Sequence, residues 1–544
     1  MTGESKNWIE KVGGRGRMGL TVTIVVASLL VGAIAGVLAY REIWLAPSGV
    51  ASGAGKAEGD PSGPGNAYAA QFWTESMFPE FSPKQRRYVT RCTPAKVDVE
   101  VNARRGVKVQ VDGFPPASGQ FSAEARPVPG QDFEIEVTGS GGPANGTYNV
   151  RCLPVGFPEW SYKQFREPPR GTFVVAFRPE PKELSDPWII AFDQDGLPRW
   201  WYTPEFNALL AQILDDGTFQ WARGFGDGFG QDSRGGIELM ELDGTPIARH
   251  ETVDAPIDGH EFVKLKNGNY LLMSYRPRAG VDMSSWGIEG PAGLLTGEIQ
   301  EITPNGDLVW RWNSWDHIGL DEIPGMWRRI QTGNPHTDAD GLDRYDYFHL
   351  NSIEPWRNEI IISTRHTNAV YGISRKTGEV KWKLGGRPNS KSLEILGPDP
   401  YRTDPLSGNH DARITDGNLL TIHDNGTRKD RPPRLVRYRI DPEAGTATFV
   451  SEVDDSWAAP KSMCCGSARK FGDGWLVGWG DSRFVSGFDS RDRLAFRLEL
   501  PSSSYRAMPV PQGVTPPELD AALESVESDL PVGRPIRPLV RPGG

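Results

Sequence analysis

The sequence predicts an all-β protein: a six-bladed β-propeller preceded by a small β-sandwich-like domain and one N-terminal transmembrane helix. Three observations predict it. One phrase recurs along the chain, an apolar strand, a turn such as Asp-x-x-Gly or Asn-Gly-Asp, and a second strand that often carries Trp. Asn-Gly and Asp-Gly between apolar runs are strong short-range signals of a β-hairpin. No helical periodicity separates the phrases, and two hairpins per unit make a four-stranded blade.

In chain order, residues 1–17 carry Lys6, Lys11, Arg15 and Arg17 ahead of an uncharged apolar run at 18–40. A bilayer-crossing helix needs about 20 such residues. The positive charges place 1–17 in the cytoplasm and all that follows outside, on a single-pass cell-membrane anchor. A cleaved signal peptide is the rival, but its apolar region is only about 7–15 residues and ends in a small-residue site. No clean A-x-A follows the run, so the anchor is the expectation. Residues 41–75, rich in Gly, Ala, Ser and Pro, read as a flexible linker. Strand alternation in KVDVEVNA, VKVQVDG, DFEIEVTG and TYNVRCLP assigns 76–157 to the small β-domain. There Cys92 and Cys152 form the expected disulfide of an exported module, against two buried thiols as the alternative. Cys464 and Cys465 are adjacent; free thiols, a mutual bond and a strained redox pair all remain open.

Residues 158–505 carry the propeller phrases: IIAFDQDGLPRWW, IELMELDGTPIARH, IQEITPNGDLVWRW, VYGISRKTGEVKWKL, LVRYRIDPEAGTATFV and FVSGFDSRDRLAFRLEL. They recur at roughly 47–72 residues. The insertion at 315–345 is expected to lie as a loop over one face. Residues 506–544 read as a mostly disordered tail with one short acidic helix in PPELDAALESVESDL. The net charge of −10 argues against a nucleic-acid partner. Oligomeric state is not readable.

Folding each hairpin about its turn shows which polar side chains meet. In HLNSIEPWRNEIIISTR the turn centres near Arg357, placing His349 opposite Arg365, with Asn351 close by. In HDARITDGNLLTIHD the turn at Gly417 mirrors His410 with Asp424. In HEFVKLKNGNYLLMSY, His260 pairs with Tyr275 or Arg276. The counts differ by one between hairpins, so bulges are required. Three imidazoles, a guanidinium and an amide around one point suit a tetrahedral oxyanion. Neutral imidazole is a good nucleophile near neutral pH, and Asp424 is the expected group orienting the other nitrogen of His410. Three histidines also suit Zn²⁺, but Arg365 opposes a divalent cation and no H-x-H or H-E-x-x-H spacing occurs, so no metal is expected. His250, His317, His336, His366 and His423 read as structural, with His317 near enough in the face insertion to line the site. Trp286, Trp315 and Trp327 fall in segments that reach the channel mouth, while most Trp serve packing.

The segments HEFVKLKNGNYLL, FHLNSIEP with STR downstream, KTGEVKWKLGG and GNHDARITDGNLLTIHDNG together resemble the bacterial PAPS-independent arylsulfate sulfotransferases, over roughly 171–500. The resemblance implies a six-bladed propeller enzyme without a cofactor. It implies transfer of a sulfuryl group from a small aryl sulfate to a phenolic acceptor through a sulfohistidine on His410. It further implies that His260, His349, Asn351 and Arg365 bind sulfuryl oxygens or protonate the leaving phenol. A polar residue that the family supplies from a later blade has only Ser462 and Ser467 as candidates. Two other readings stand beside it: a propeller ester hydrolase using the same His/Arg site, and a non-enzymatic surface propeller that binds a ligand or partner. A quinone-dependent dehydrogenase would need eight units rather than six.

Overall fold

Alternating apolar residues become strands wherever one face can be buried, and this chain builds nearly everything that way. The computed structural model describes residues 68–92, 96–128, 130–139, 142–179, 185–223, 231–232, 235–337 and 342–528. Near the N-terminal end of that range, Ala70–Trp73, Val97–Ala103 and Gly119–Ala125 form one sheet. Arg87–Arg91, Gly146–Leu153, Asp132–Thr138 and Lys108–Val111 form a second. In Val97–Ala103 the odd positions are buried and the charged even ones face solvent. Phe72, Val101, Val109, Ile135 and Tyr148 share one apolar cluster drawn from both sheets. Cys92 and Cys152 are joined by a disulfide.

Six sheets follow. Sheet I contains Pro198–Tyr202, Trp188–Asp193 and Thr172–Phe177, completed by Ala507–Pro509 from the far end of the chain. Sheet II contains Ala208–Ile213, Thr218–Arg223, Ile237–Glu241 and Pro246–His250. Sheet III is the largest, built on Ile257–Lys264, the long hairpin Tyr270–Asp282/Pro291–Ile302, and Leu308–Asn313. Sheet IV contains Leu350–Trp356, Glu359–Thr364, Ala369–Ser374 and Val380–Gly385. Sheet V runs from His410–Thr415 through Leu419–Asp424, Arg434–Asp441 and Thr446–Val453 to Glu394–Leu396. Sheet VI holds Ser467–Phe471, Gly474–Gly478, Phe484–Phe488 and Leu494–Glu499, and takes Ser161–Gln164 from ahead of sheet I. The first strands of sheets III, IV, V and VI lie against one another in sequence order. That adjacency brings distant histidines together.

These findings correct the architecture expected from the sequence. In place of six uniform four-stranded blades after a membrane helix, the described residues form eight separate sheets of three to seven strands, with short helices at Gly325–Gly333 and Pro516–Ser528. The six-bladed propeller is therefore not retained as the description. The expected membrane span at 18–40 lies outside the described residues, and among those described no helix is long and apolar enough to cross a membrane. The membrane anchor, the single-pass topology and the extracytoplasmic location inferred from it are withdrawn.

Two further segments differ from their sequence reading. The insertion at 315–345 contains a helix, Gly325–Gly333, with Trp327 and Gln331 buried one turn apart. In the segment expected to be a mostly disordered tail, Ala507–Pro509 form a strand, while the short acidic helix expected in PPELDAALESVESDL is present as Pro516–Ser528. Glu518 accepts hydrogen bonds from the main-chain N–H and hydroxyl of Thr515, fixing that helix's start. Leu519 and Leu523 bury into the cluster of sheet I.

Candidate functional site

All three histidine-bearing hairpins lose their regular ladder beside the histidine. The register shifts between Asp258 and Phe262, between Leu350 and Ser352, and between His410 and Arg413. A bulge of this kind re-aims a side chain that strict alternation would send elsewhere. His349 and Asp411 adopt left-handed backbone, with φ of 52° at each, which costs a residue with a Cβ roughly 1–2 kcal/mol. The result is a buried group of rings. The centroids of His260 and His349 are 5.1 Å apart, and Tyr505 stands 5.4 Å from His260 and 6.3 Å from His410.

His410 is held from both ring nitrogens. Nδ1 lies 2.9 Å from the Gly408 carbonyl and 2.9 Å from Asn425 Oδ1. A carbonyl can only accept, so the ring proton sits on Nδ1 and Nε2 keeps its lone pair. Asn425 cannot turn over without loss, because its Nδ2 donates to Ser462 Oγ at 2.7 Å and to the Cys465 carbonyl at 3.0 Å. Nε2 accepts from the Cys465 main-chain N–H at 3.2 Å. Burial, then the charge of Arg365 and the neighbouring imidazoles, hold His410 well below the usual histidine range.

His260 and His349 are each braced by an aspartate just upstream. Both Nδ1 atoms lie 2.5 Å from a carboxylate oxygen, of Asp258 and Asp346 respectively. The same aspartates accept the histidines' own main-chain N–H groups at 3.0 and 2.9 Å. Burial pushes Asp258 and Asp346 up and His349 well down, the latter helped by His260 and Arg365. Arg365 joins them through its backbone, whose N–H donates to the His349 carbonyl at 2.9 Å. Its guanidinium lies 4.4 Å over the Trp327 ring, donates to the Met463 carbonyl at 2.8 Å and reaches His366 Nε2 at 3.0 Å. Its Nε is buried without a partner.

A family profile described as arylsulfotransferase (ASST) matches residues 219–500, a little over half of the chain and every residue of the histidine cluster except Tyr505. The chain belongs to the arylsulfotransferase family. No curated protein matches it. Among solved structures, a proposed 6-phosphogluconolactonase of Bacteroides fragilis is 10% identical, over 63% of this chain and 98% of that one, with a TM-score of 0.37. Apo AztD of Citrobacter koseri is 9% identical over 63% and 98%, with a TM-score of 0.29. At those scores neither carries a further argument.

Within this chain the sequence-predicted residues are placed as follows. His260, His349, Arg365 and His410 converge. Asn351 is fully buried beside them, but its Nδ2 donates to the Asn409 carbonyl at 2.9 Å and its Oδ1 has no partner, so it presents an acceptor rather than a donor. Asp424 does not orient His410. The register pairs His410 with His423, and the Asp424 carboxylate serves Arg431, Arg434 and the N–H groups of Ser407 and Gly426. The orienting group is Asn425, one residue on and so on the other side of the strand. Ser462 enters as Asn425's partner, and Ser467 bonds Ala507 instead. Trp327 and Trp286 are buried in the apolar cluster of sheets III and IV, with Trp315 packed against it, and of the three Trp327 lies under Arg365.

Asp258, Asp346, Asn425 and Tyr505 escaped the sequence reading as site residues, and Tyr275 entered it only as one of two possible hairpin partners of His260. The first two were visible as D-x-H and D-x-x-H; Tyr505 carried no local signal. Tyr275 is fully buried with its hydroxyl unpartnered, 6.3 Å from the His349 ring. Asp346, His349 and His366 are the described group whose atoms lie close enough to hold a metal, within 4.8 Å of one another. Those atoms are already committed, since His366 Nδ1 bonds the Asp346 carbonyl at 2.7 Å and Arg365 sits against its other nitrogen.

Proposed function

We propose that this arylsulfotransferase moves a sulfuryl group from an aryl sulfate to a phenol through a covalent adduct on His410 Nε2. The observation that carries the reading is the pair of acceptors on His410 Nδ1, which leaves a buried, unprotonated Nε2 on a ring within reach of the charges of Arg365, His349 and His260. In the first half-reaction the Nε2 lone pair attacks sulfur and the sulfur–O(aryl) bond breaks. The imidazole keeps its Nδ1 proton and becomes cationic, a charge that the Gly408 carbonyl and Asn425 Oδ1 stabilise. Nε2 must leave the Cys465 N–H to do this, and that N–H then stands beside the incoming oxygens.

The departing phenolate needs a proton. An aspartate–histidine pair that is neutral as a whole holds one proton in the bridge and one on the outer Nε2. Burial favours that neutral state, so His260 and His349 each offer an Nε2–H, to hydrogen-bond sulfuryl oxygens or to protonate the leaving oxygen. In the second half-reaction an acceptor phenol attacks sulfur, returns its proton to the same pair, and the nitrogen–sulfur bond breaks. Arg365, held by Trp327 and Met463, supplies fixed positive charge for the sulfuryl group.

The test uses 4-nitrophenyl sulfate as donor and phenol as acceptor. Wild-type protein is expected to release nitrophenol only as phenyl sulfate forms, and without acceptor its intact mass should rise by one sulfuryl group. His410→Ala should lose both signals. Donor turnover that ignores the phenol would favour hydrolysis; absence of any adduct or turnover would leave a binding protein.

A further inference from the structure

The proposed chemistry uses no thiol, yet two free thiols stand where the nucleophile is positioned. Cys464 and Cys465 are unbridged, and the peptide of Cys465 is woven into the partners of His410. Its N–H donates to His410 Nε2 at 3.2 Å, and its carbonyl accepts from Asn425 Nδ2 at 3.0 Å. Asn425 in turn accepts from His410 Nδ1. The two peptide units that flank the Cys465 Cα therefore reach both sides of the ring, the one before it through Nε2 and the one after it through Asn425, the partner of Nδ1. Cys465 has φ of 68°, and the next residue, Gly466, has φ of 102° with the His423 ring packed where a Cβ would stand. The main chain here is held in one unusual conformation by its contacts.

We propose that Cys464–Cys465 is a reversible oxidation site, at which a hydroperoxide joins the two thiols and thereby takes His410 out of its productive position. The inference rests on the reading of His410 as nucleophile. The Cys464 thiolate attacks a peroxide oxygen and releases hydroxide, giving a sulfenic acid. The Cys465 thiol then attacks that sulfur, water departs, and a sulfur–sulfur bond remains. Thiol–disulfide exchange with a small dithiol reverses it. The contact with Cys465 lowers the Cys464 thiol from its usual range, in line with Cys464 attacking first. Neighbouring Cα atoms are about 3.8 Å apart across a trans peptide, whereas ordinary disulfides want roughly 4.4–6.8 Å. Closing the ring must therefore twist the Cys464–Cys465 peptide, whose N–H is the one bonded to His410 Nε2 and whose carbonyl accepts from Ser462, the partner of Asn425.

The experiment treats the full chain with hydrogen peroxide and reads three things. The peptide containing both cysteines should lose two hydrogens and resist alkylation. The ¹⁵N imidazole resonance of His410, identified by its loss in His410→Gln, should shift. Sulfotransfer should fall on the order of tenfold and return with a dithiol, while Cys464→Ser keeps its basal activity and ignores peroxide. Sulfinic acid in place of the bridge, or a bridge that moves neither the resonance nor the activity, overturns the inference. If no sulfotransfer exists at all, the mass and the resonance still decide it.

Discussion

At the scale of single residues, the distinction between Asp424 and Asn425 matters most. A carboxylate beside His410 would favour an imidazolium, whereas an amide oxygen fixes the tautomer without adding charge. In the proposed reaction Asn425 is a positioning residue. Asn425→Ala should lower kcat by roughly 10–100-fold with KM little changed. Asn425→Asp should restore the Nδ1 acceptor but raise the pH at which the acid limb of the kcat profile falls, an effect a merely structural role would not produce. A second residue prediction concerns His423, fully buried with neither ring nitrogen partnered. Burial depresses it to about 4. Its neutral form belongs to the folded state, so its contribution is present above pH 6.5 and is lost as pH falls from 6.5 towards 4. That loss amounts to roughly 3 kcal/mol across the window. Thermal unfolding of His423→Leu should decline less between pH 7 and 5 than wild type, and parallel curves would remove His423 as a source of acid lability.

At the scale of elements, the hairpins were legible and their ends were not. Turn residues and apolar alternation located the strands around His349 and Arg365 well enough to pair them, and the structure joins their backbones. The same mirror operation failed at His410 because the ladder slips before Arg413, and a one-residue slip moves every side chain to the other face. His260 lies wholly within such a slip. Bulges are products of packing between neighbouring first strands, which no local pattern records. The helix Gly325–Gly333 was missed for a related reason: it is short, follows Pro324, and is held by one buried ring whose Nε1 donates to Asn368 Oδ1 at 2.7 Å. That bond places Trp327 under Arg365.

At the scale of the molecule, the segment that follows sheet VI secures the site. Arg506 is fully buried, and its Nη1 meets Glu261 at 2.7 Å while its Nη2 meets the Asn351 carbonyl at 2.6 Å. Asp411 lies 3.5 Å away. Glu261, Asn351 and Asp411 are each within two residues of a site histidine, on sheets III, IV and V, so one guanidinium spans three first strands. Arg413 completes the group by bonding both Glu261 and Asp411. Removing Arg506 leaves Glu261 and Asp411 to Arg413 and takes the donor from the Asn351 carbonyl, a loss of about 1–3 kcal/mol for a buried acceptor left unmet. Arg506→Met should lower stability by that amount in chemical denaturation. Arg506→Lys should recover little of it, because a single ammonium cannot reproduce the guanidinium's fork towards a carboxylate and a carbonyl. Were Arg506→Lys to unfold at the wild-type midpoint, the network would be acting through charge alone and the strands would owe their alignment to something else. Alignment should also show in the chemistry: Arg506→Met, assayed well below its unfolding midpoint, should lose kcat in the transfer assay although residue 506 is no part of the proposed reaction.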